Sequence, residues 1–247
     1  MIKKSPKDPM EIFPEIISDY TEILGDDLVG IILYGSATGK DYRPGKSDIN
    51  FMIVVSEQGI DRLEEMLQVV KKWRKKNVAV PLFLTENYVK TSMDVFPIEY
   101  LNLQQNHLLV FGKDILNDLT FNPEFLRLQC EREIKGKLLL LREAFLESSG
   151  RARDLDMVIN QSIHAFVAIF EALLFLKSVE VPEGKREIIR AASGTFDMNT
   201  LLFERLLDVK EGKAHHGEKV TRQLFIAYLK EIRQLARHVD QLGGQDE

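Results

Sequence analysis

Two apolar, strand-like segments joined by a glycine-serine turn occupy residues 31–55 of this 247-residue chain. Gly35 and Ser36 end the first segment, where small residues let the backbone approach a phosphate closely. Asp48 and Asn50 begin the second segment two residues apart, so both side chains point to the same face of a strand. The alternate residues of that segment are apolar: Ile49, Phe51, Ile53 and Val55. A polar pair on an otherwise buried strand needs a partner, and a metal-bound nucleotide is a suitable one.

This pattern resembles the signature of the DNA-polymerase-β-like nucleotidyltransferases, in which Gly-Ser is followed by Asp-hydrophobic-Asp/Glu on the next strand. The resemblance is sharp over residues 34–50, looser to Gly112, and beyond Phe121 rests on architecture alone. It implies an α/β (α+β) nucleotidyltransferase core with a mixed sheet, followed by an all-α helical bundle, as in bacterial aminoglycoside adenylyltransferases. The implied activity is transfer of a nucleoside monophosphate from Mg²⁺-bound ATP, or another triphosphate, to a hydroxyl of a small-molecule or other acceptor.

Residue by residue, the resemblance implies that Gly35 and Ser36 bind phosphate and that Asp48 is catalytic and a metal ligand. Ser47 is expected to steady the turn that leads into the second strand, and we include it with Lys46 among the nucleotide-binding residues. Lys40 and Arg43 lie in the same interval and have the charge to reach phosphate oxygens, although the family motif does not fix them.

A third carboxylate normally comes from a later strand, and Glu99 is the first candidate for it. Residues 96–103 read as a strand in which Glu99 shares a face with Leu101 and Leu103, where a charge is out of character. The resemblance gives Glu99 two roles, metal ligand and activator of the acceptor hydroxyl. Glu86 is the rival candidate, although its position beside Asn87 at a strand end is typical of a solvated loop carboxylate.

Asn50 departs from the family pattern, which has a second carboxylate at this position. An asparagine offers a metal one neutral oxygen, whereas a carboxylate offers two oxygens and a full charge. Two interpretations follow. In the first, Asp48 and Glu99, with help from Asn50, hold a single Mg²⁺ that arrives with the nucleotide, and slow or specialised transfer remains. In the second, the chain is a catalytically silent nucleotide-binding or protein-interaction module that retains the fold.

The hydrophobic pattern changes near residues 119–123, from mixed helical and strand-like spacing to helical spacing alone. This predicts a nucleotidyltransferase-like domain over residues 1–119 and a helical bundle over residues 120–247. In the first part, helical spacing over residues 9–25 and 56–76 alternates with strand-like segments at residues 28–34, 48–55, 78–84, 96–103 and 107–111. In the second part, five apolar stripes with helical spacing predict an antiparallel bundle that ends near Leu242.

Composition limits the class of partners. A formal net charge of −5 argues against non-specific nucleic-acid binding, which depends on Lys and Arg. One cysteine, Cys130, allows no internal disulfide, and the first residues lack the apolar core of a secretory signal. The most apolar run, residues 164–176, contains Glu171 and is too short to span a bilayer. We therefore expect a cytoplasmic protein that binds neither membrane nor, in general, nucleic acid, while the resemblance implies that its partners are a nucleotide and a small-molecule acceptor.

Three features of the sequence also have other interpretations. Gly45-Lys46-Ser47 ends like a P-loop, but the first glycine is misplaced and a strand follows instead of a helix. Asp48 is alternatively a buried carboxylate that caps the preceding turn. The basic run at residues 71–76 is typical of a helix C-terminus, where cations complement the helix dipole, more than of a nucleic-acid site.

Overall fold

The computed structural model describes residues 5–39 and 42–242, apart from the side chain of His164. The chain divides into two compact units. Unit 1 contains the residues up to Met93 together with Glu99–Thr120, and unit 2 contains Asp94–Ile98 and the residues from Phe121 onward.

Unit 1 forms an α/β core, to which the helix Pro97–Gln105 belongs from Glu99 onward. Its elements, in chain order, are α1 (Phe13–Leu24), β1 (Leu28–Tyr34), β2 (Asn50–Val55), α2 (Leu67–Arg74), β3 (Leu82–Thr85), α3 (Glu86–Thr91), α4 (Pro97–Gln105) and β4 (His107–Gly112). Short 3-10 helices cover Pro9–Ile12, Gly25–Asp27, Gly35–Thr38 and Gly59–Met66. The predicted strand at residues 28–34 is confirmed with its predicted bounds.

The strands form a mixed sheet in the order β3-β2-β1-β4. Strand β1 pairs antiparallel with β2 and with β4, whereas β2 and β3 are parallel. One face of the sheet packs on α1 and α2 through a core that includes Ile16, Tyr20, Phe51, Ile53 and Trp73. The opposite face carries the residues of alternate register, and it includes Asn50.

The predicted strand at residues 96–103 is wrong, because these residues form helix α4. An aromatic and β-branched run suggested a strand, but Pro97 occupies the first helical position, where its missing N–H costs nothing. Glu99 lies in the first turn of α4, where a carboxylate complements the helix dipole. The backbone N–H of Ile98 donates to the side-chain oxygen of Gln129 at 2.8 Å, which satisfies one of the free amides of that turn.

Unit 2 is a helical bundle, as predicted. Among the described residues it contains α5 (Pro123–Glu147), α6 (Ala152–Leu176), α7 (Lys185–Thr195), α8 (Thr200–Lys210) and α9 (Glu218–Gln241). The start of α5 follows its sequence signal, since Asn122 caps the helix by accepting from the backbone N–H of Glu124 at 2.8 Å. Aromatic rings fill the centre of the bundle, with edge-on contacts among Phe170, Phe203, Phe225 and Tyr228.

Helix α6 is the most apolar of the long helices in the described chain. Its 25 residues make it long and apolar enough to cross a membrane by length and composition, which the shorter run noted in the sequence did not suggest. Within unit 2, however, α6 packs against α5, α7, α8 and α9, and most of its apolar window is buried. Its composition is therefore that of a bundle core.

Candidate functional site

The turn after β1 has the geometry that the glycine-serine signal predicts. Gly35 has φ +76°, a left-handed conformation that side chains with a Cβ rarely adopt. Its N–H donates to the carbonyl of Asn106 at 3.0 Å, and its own carbonyl accepts from the hydroxyl of Thr38 at 2.8 Å. A Cβ built on Gly35 would lie 3.6 Å from the side-chain nitrogen of Asn50. The turn and the second motif therefore meet, and Ser36 is exposed beside them.

Next to the Gly35 turn, the register of the strands aligns one residue from each of β2, β1 and β4 in a row across the sheet. Asn50 of β2 is paired with Tyr34 of β1, and Tyr34 is also paired with His107 of β4. Paired residues on neighbouring strands point to the same face, so the three side chains form one line at the edge next to the turn. Tyr34 is half-buried, and burial raises the pKa of its hydroxyl, which therefore stays neutral at physiological pH.

Asp48 immediately precedes this row and is exposed. Its carboxylate forms no hydrogen bond or ion pair with any other residue that the structure describes. The alternative interpretation of Asp48 as a buried turn cap is therefore wrong. Ser47 has the steadying contact instead, because its hydroxyl accepts from the N–H of Arg43 at 3.0 Å and closes the loop.

Two cations accompany the loop. Arg43 and Lys46 are exposed and form no ion pair within the described ranges 5–39 and 42–242, which leaves both charges available to an anion. Lys40, the third cation expected here, lies outside the described residues.

Glu99 occupies a different kind of position from the one expected. It is exposed on the first turn of α4, and the strand alternation that linked it to Leu101 and Leu103 does not exist. Helix α4 ends next to Asn106, which contacts the Gly35 turn, but Glu99 precedes Gln105 by six residues, about 9 Å along the helix axis. The structure therefore gives no sheet position to this carboxylate, and its role at the site stays a prediction.

Glu86 lies at the far end of the sheet from Asp48. It follows β3, which runs parallel to β2, so it lies beyond the level of Val55 while Asp48 lies before Asn50. The intervening strand spans about 20 Å. Its carboxylate pairs with Lys113 at 2.6 Å and Lys90 at 2.8 Å, and these contacts lower the pKa of Glu86 to about 2. Glu86 therefore acts as an ion-pair partner at this end of the sheet.

No family model matches the sequence, and no curated protein is significantly similar to it. Among solved structures, spectinomycin adenyltransferase AAD(9) from Enterococcus faecialis, crystallised with ATP and spectinomycin, is similar with a TM-score of 0.53. The match covers 93% of this chain and 98% of that chain at 12% sequence identity. The fold is of the nucleotidyltransferase type. At this identity the likeness extends to the architecture and not to individual site residues.

The described residues of β3, the strand next to β2, carry no acidic group on the face of Asn50. Leu82 of β3 is paired with Met52, and Leu84 with Val54, so both leucines share the face of Asn50. Leu82 is 41% exposed, which shows that this position is open to solvent although it is apolar. Among the described strand residues of this face, none carries a carboxylate, and no group of three acidic, His or Cys side chains suited to a metal occurs in the described chain.

Sequence reasoning missed Asn77, which contacts the segment around Asp48 through its side chain and its backbone. Asn77 has φ +68° at the end of the basic run, and an asparagine after a helix is a recognisable signal for this conformation. The basic run itself follows the simpler interpretation. Its Lys72 and Lys76 pair with Asp19 and Glu15 of α1 at 2.6 Å, which consumes charge that a nucleic acid would need.

Proposed function

We propose that this protein binds a nucleoside triphosphate, with ATP as the first candidate, together with one Mg²⁺, and that it has lost efficient nucleotidyl transfer. The observation that supports this most directly is the composition of the sheet face. The face retains the Gly35 turn and an exposed Asp48, but has Asn50 at the second motif position and Leu82 on the neighbouring strand.

The turn at Gly35 is the proposed binding site for the phosphates. The N–H of Gly35 donates to the carbonyl of Asn106, but a left-handed glycine followed by a small exposed residue lets the backbone N–H groups after Gly35 approach phosphate oxygens without a side chain in between. Arg43 and Lys46 add charge from the loop that precedes Asp48. These groups suit the outer phosphates of a triphosphate, which carry most of its charge.

The donor set fits one Mg²⁺ and does not fit two. Protein sites for Mg²⁺ commonly use one or two carboxylates, with water and substrate phosphates as the other ligands. Asp48 with the amide oxygen of Asn50 meets this description for an ion already bound to the nucleotide. A bound Mg²⁺ would neutralise phosphate charge, whereas a second ion would lack a bridging carboxylate on β2, and the apolar Leu82 and Leu84 of β3 supply none on the same face.

The missing charge explains why efficient transfer is not expected. A unit charge at about 4 Å is worth on the order of 4 kcal/mol at an effective dielectric constant of about 20. Because about 1.4 kcal/mol corresponds to tenfold in rate, loss of one metal-holding carboxylate costs on the order of a thousandfold in transfer.

A second candidate is retained transfer of a nucleoside monophosphate to a hydroxyl of a small molecule. It is favoured by AAD(9), an adenyltransferase crystallised with ATP and spectinomycin, whose length this chain matches almost completely. In this candidate, Glu99 polarises the acceptor hydroxyl and complements Asp48 at the metal. Loss of acceptor-dependent activity in Glu99→Gln, with Mg²⁺-free ATP affinity unchanged, would support it.

Release of pyrophosphate from ATP, measured with Mg²⁺ and a panel of hydroxyl acceptors, distinguishes the two candidates. We expect no release from the wild type or from Asp48→Asn, and a gain in metal-dependent ATP binding in Asn50→Asp. The double variant Asn50→Asp/Leu82→Glu adds charge on both strands of the face and should bind Mg²⁺ more tightly still. Acceptor-dependent release by the wild type that disappears in Asp48→Asn would overturn the silent-module proposal in favour of the second candidate.

A further inference from the structure

Asn77 is a buried polar residue next to the candidate site, and neither the motif nor the fold comparison assigns it a role. It lies between α2 and the extended residues that precede β3, is 6% exposed, and has φ +68°. Asparagine tolerates this left-handed conformation because its short side chain bonds locally, whereas most residues with a Cβ are strained there.

The contacts of Asn77 bracket Asp48. Its side-chain nitrogen donates to the carbonyl of Ser47 at 2.8 Å, and its backbone carbonyl accepts from the N–H of Ile49 at 3.1 Å. The carbonyl of Ile49 in turn accepts from the N–H of Ala79 at 2.9 Å. Hydrogen bonds with Asn77 and Ala79 therefore hold the residues on both sides of Asp48, while the carboxylate of Asp48 remains exposed.

Asn77 makes two contacts of different kinds. Its backbone carbonyl bonds as part of the main-chain pairing and its side-chain amide adds a bond to Ser47, so the two bonds act on consecutive peptide groups. Ile49 also forms a parallel bridge with Val78 and is fully buried, which fixes the opposite side of the chain. Because side chains alternate along this segment, fixing Ile49 in the core directs Asp48 and Asn50 to the other face.

We infer that Asn77 is a positioning residue that holds Asp48 in the direction needed to bind nucleotide-borne Mg²⁺. The inference deepens the proposed function and rests on it for the identity of the ligand. The contacts of Asn77 with Ser47 and Ile49, however, are present without any ligand. Asn77 touches no ligand in this scheme. It acts through the backbone of Ser47 and Ile49.

Two substitutions separate the side-chain contact from the backbone conformation. Asn77→Gly keeps the left-handed φ and the backbone carbonyl but deletes the amide that bonds Ser47. Asn77→Asp keeps the size and replaces the donor with an oxygen that faces the Ser47 carbonyl. Ile16→Val, a fully buried change in α1 of the same unit, is the control for a general loss of stability.

The first measurement is the ratio of the ATP dissociation constants without and with Mg²⁺. Both Asn77 variants should reduce this ratio at least about fivefold and leave the Mg²⁺-free dissociation constant within about twofold. A structural role alone would change both constants or neither, and Ile16→Val should leave the ratio unchanged. A wild-type ratio in both Asn77 variants would overturn the inference.

The second measurement needs no nucleotide. Hydrogen exchange at the Ile49 amide should quicken at least about tenfold in both variants relative to the amide of Val54, which lies within β2. Unchanged exchange at Ile49 would overturn the inference even if ATP binds. If the wild type binds no ATP while Ile49 exchange quickens as expected, the proposed function fails and the positioning of Asp48 by Asn77 stands.

Discussion

At the scale of single residues, the candidate site depends on a few positions where the backbone or the charge leaves little choice. Gly35 is the clearest of them, because its left-handed conformation and its closeness to Asn50 join the two motif segments. Its role follows from local geometry, and it can be tested without knowledge of the acceptor.

Gly35→Ala should weaken ATP binding by about tenfold or more and lower the free energy of unfolding by about 1–2 kcal/mol, since a Cβ strains a left-handed residue. Titration calorimetry and urea unfolding measure the two effects. Gly25→Ala is the matched control, because Gly25 also has positive φ with no heavy atom near a built Cβ, and it lies after α1. It should cost similar stability and leave ATP affinity unchanged; equal losses of affinity in both variants would remove Gly35 from the site.

The sequence predicted the Gly35 turn and the shared face of Asp48 and Asn50, because strand alternation and small-residue turns are local properties. The contacts of Asn77 could not be predicted in the same way. They join residues about thirty positions apart, which are brought together by the parallel bridge between Ile49 and Val78 and the pairing of β2 with β3.

At the scale of elements, the pairing of β1 with β4 is constrained by close backbone contact. A Cβ built on Gly30 would lie 2.6 Å from the carbonyl oxygen of Lys113 and 3.3 Å from that of Phe111. Both neighbours are backbone atoms and cannot rotate away. Strand β4 also begins after the Asn106 carbonyl that holds the Gly35 turn, so this pairing supports the site indirectly.

Gly30→Ala should therefore lower the free energy of unfolding by about 1–3 kcal/mol, the usual cost of overpacking. Chemical denaturation followed by circular dichroism gives this value. Gly136→Ala, an open position within α5, should instead add about 0.5–1 kcal/mol because alanine is the better helix former. A neutral Gly30→Ala would show that β4 shifts easily and that the pairing does not constrain the turn.

Helix α4 shows where element prediction failed. Its residues read as a strand by composition, and the helix type was decided by Pro97 at the first position and by the cap-like bond from Ile98 to Gln129. Gln129 is 31 residues away in the sequence, so this hydrogen bond cannot be predicted from the residues of α4 alone. The assignment of Glu99 to a sheet face failed together with the strand.

At the scale of the whole molecule, charge is distributed so that many cations are already paired. Lys72 and Lys76 bind the acidic groups of α1, and Lys113 and Lys90 bind Glu86. The division into an α/β core and a helical bundle was predictable from the change in hydrophobic periodicity. The sequence could not predict which cations remain available to a ligand, because ion pairs between distant elements depend on the fold.

The Glu86 ion pairs should make stability depend on acidity. The pKa of Glu86 is about 2, below its ordinary value of 4.5, so the stabilisation is complete above pH 4.5 and is lost as pH falls towards 2. We expect Glu86→Gln to be less stable than the wild type by about 0.5–1 kcal/mol at pH 7, with the difference vanishing near pH 2. Urea unfolding across this range measures it, with the exposed Glu57→Gln as control; a constant difference for Glu86→Gln would contradict the ion-pair assignment.

The most direct test of the central claim is calorimetric titration of ATP into the full chain, with and without Mg²⁺. We expect one saturable site per chain whose affinity rises when Mg²⁺ is present, with intact ATP recovered after the titration. Absence of any saturable heat under both conditions would contradict nucleotide binding itself, and recovery of AMP-linked product would contradict the loss of transfer.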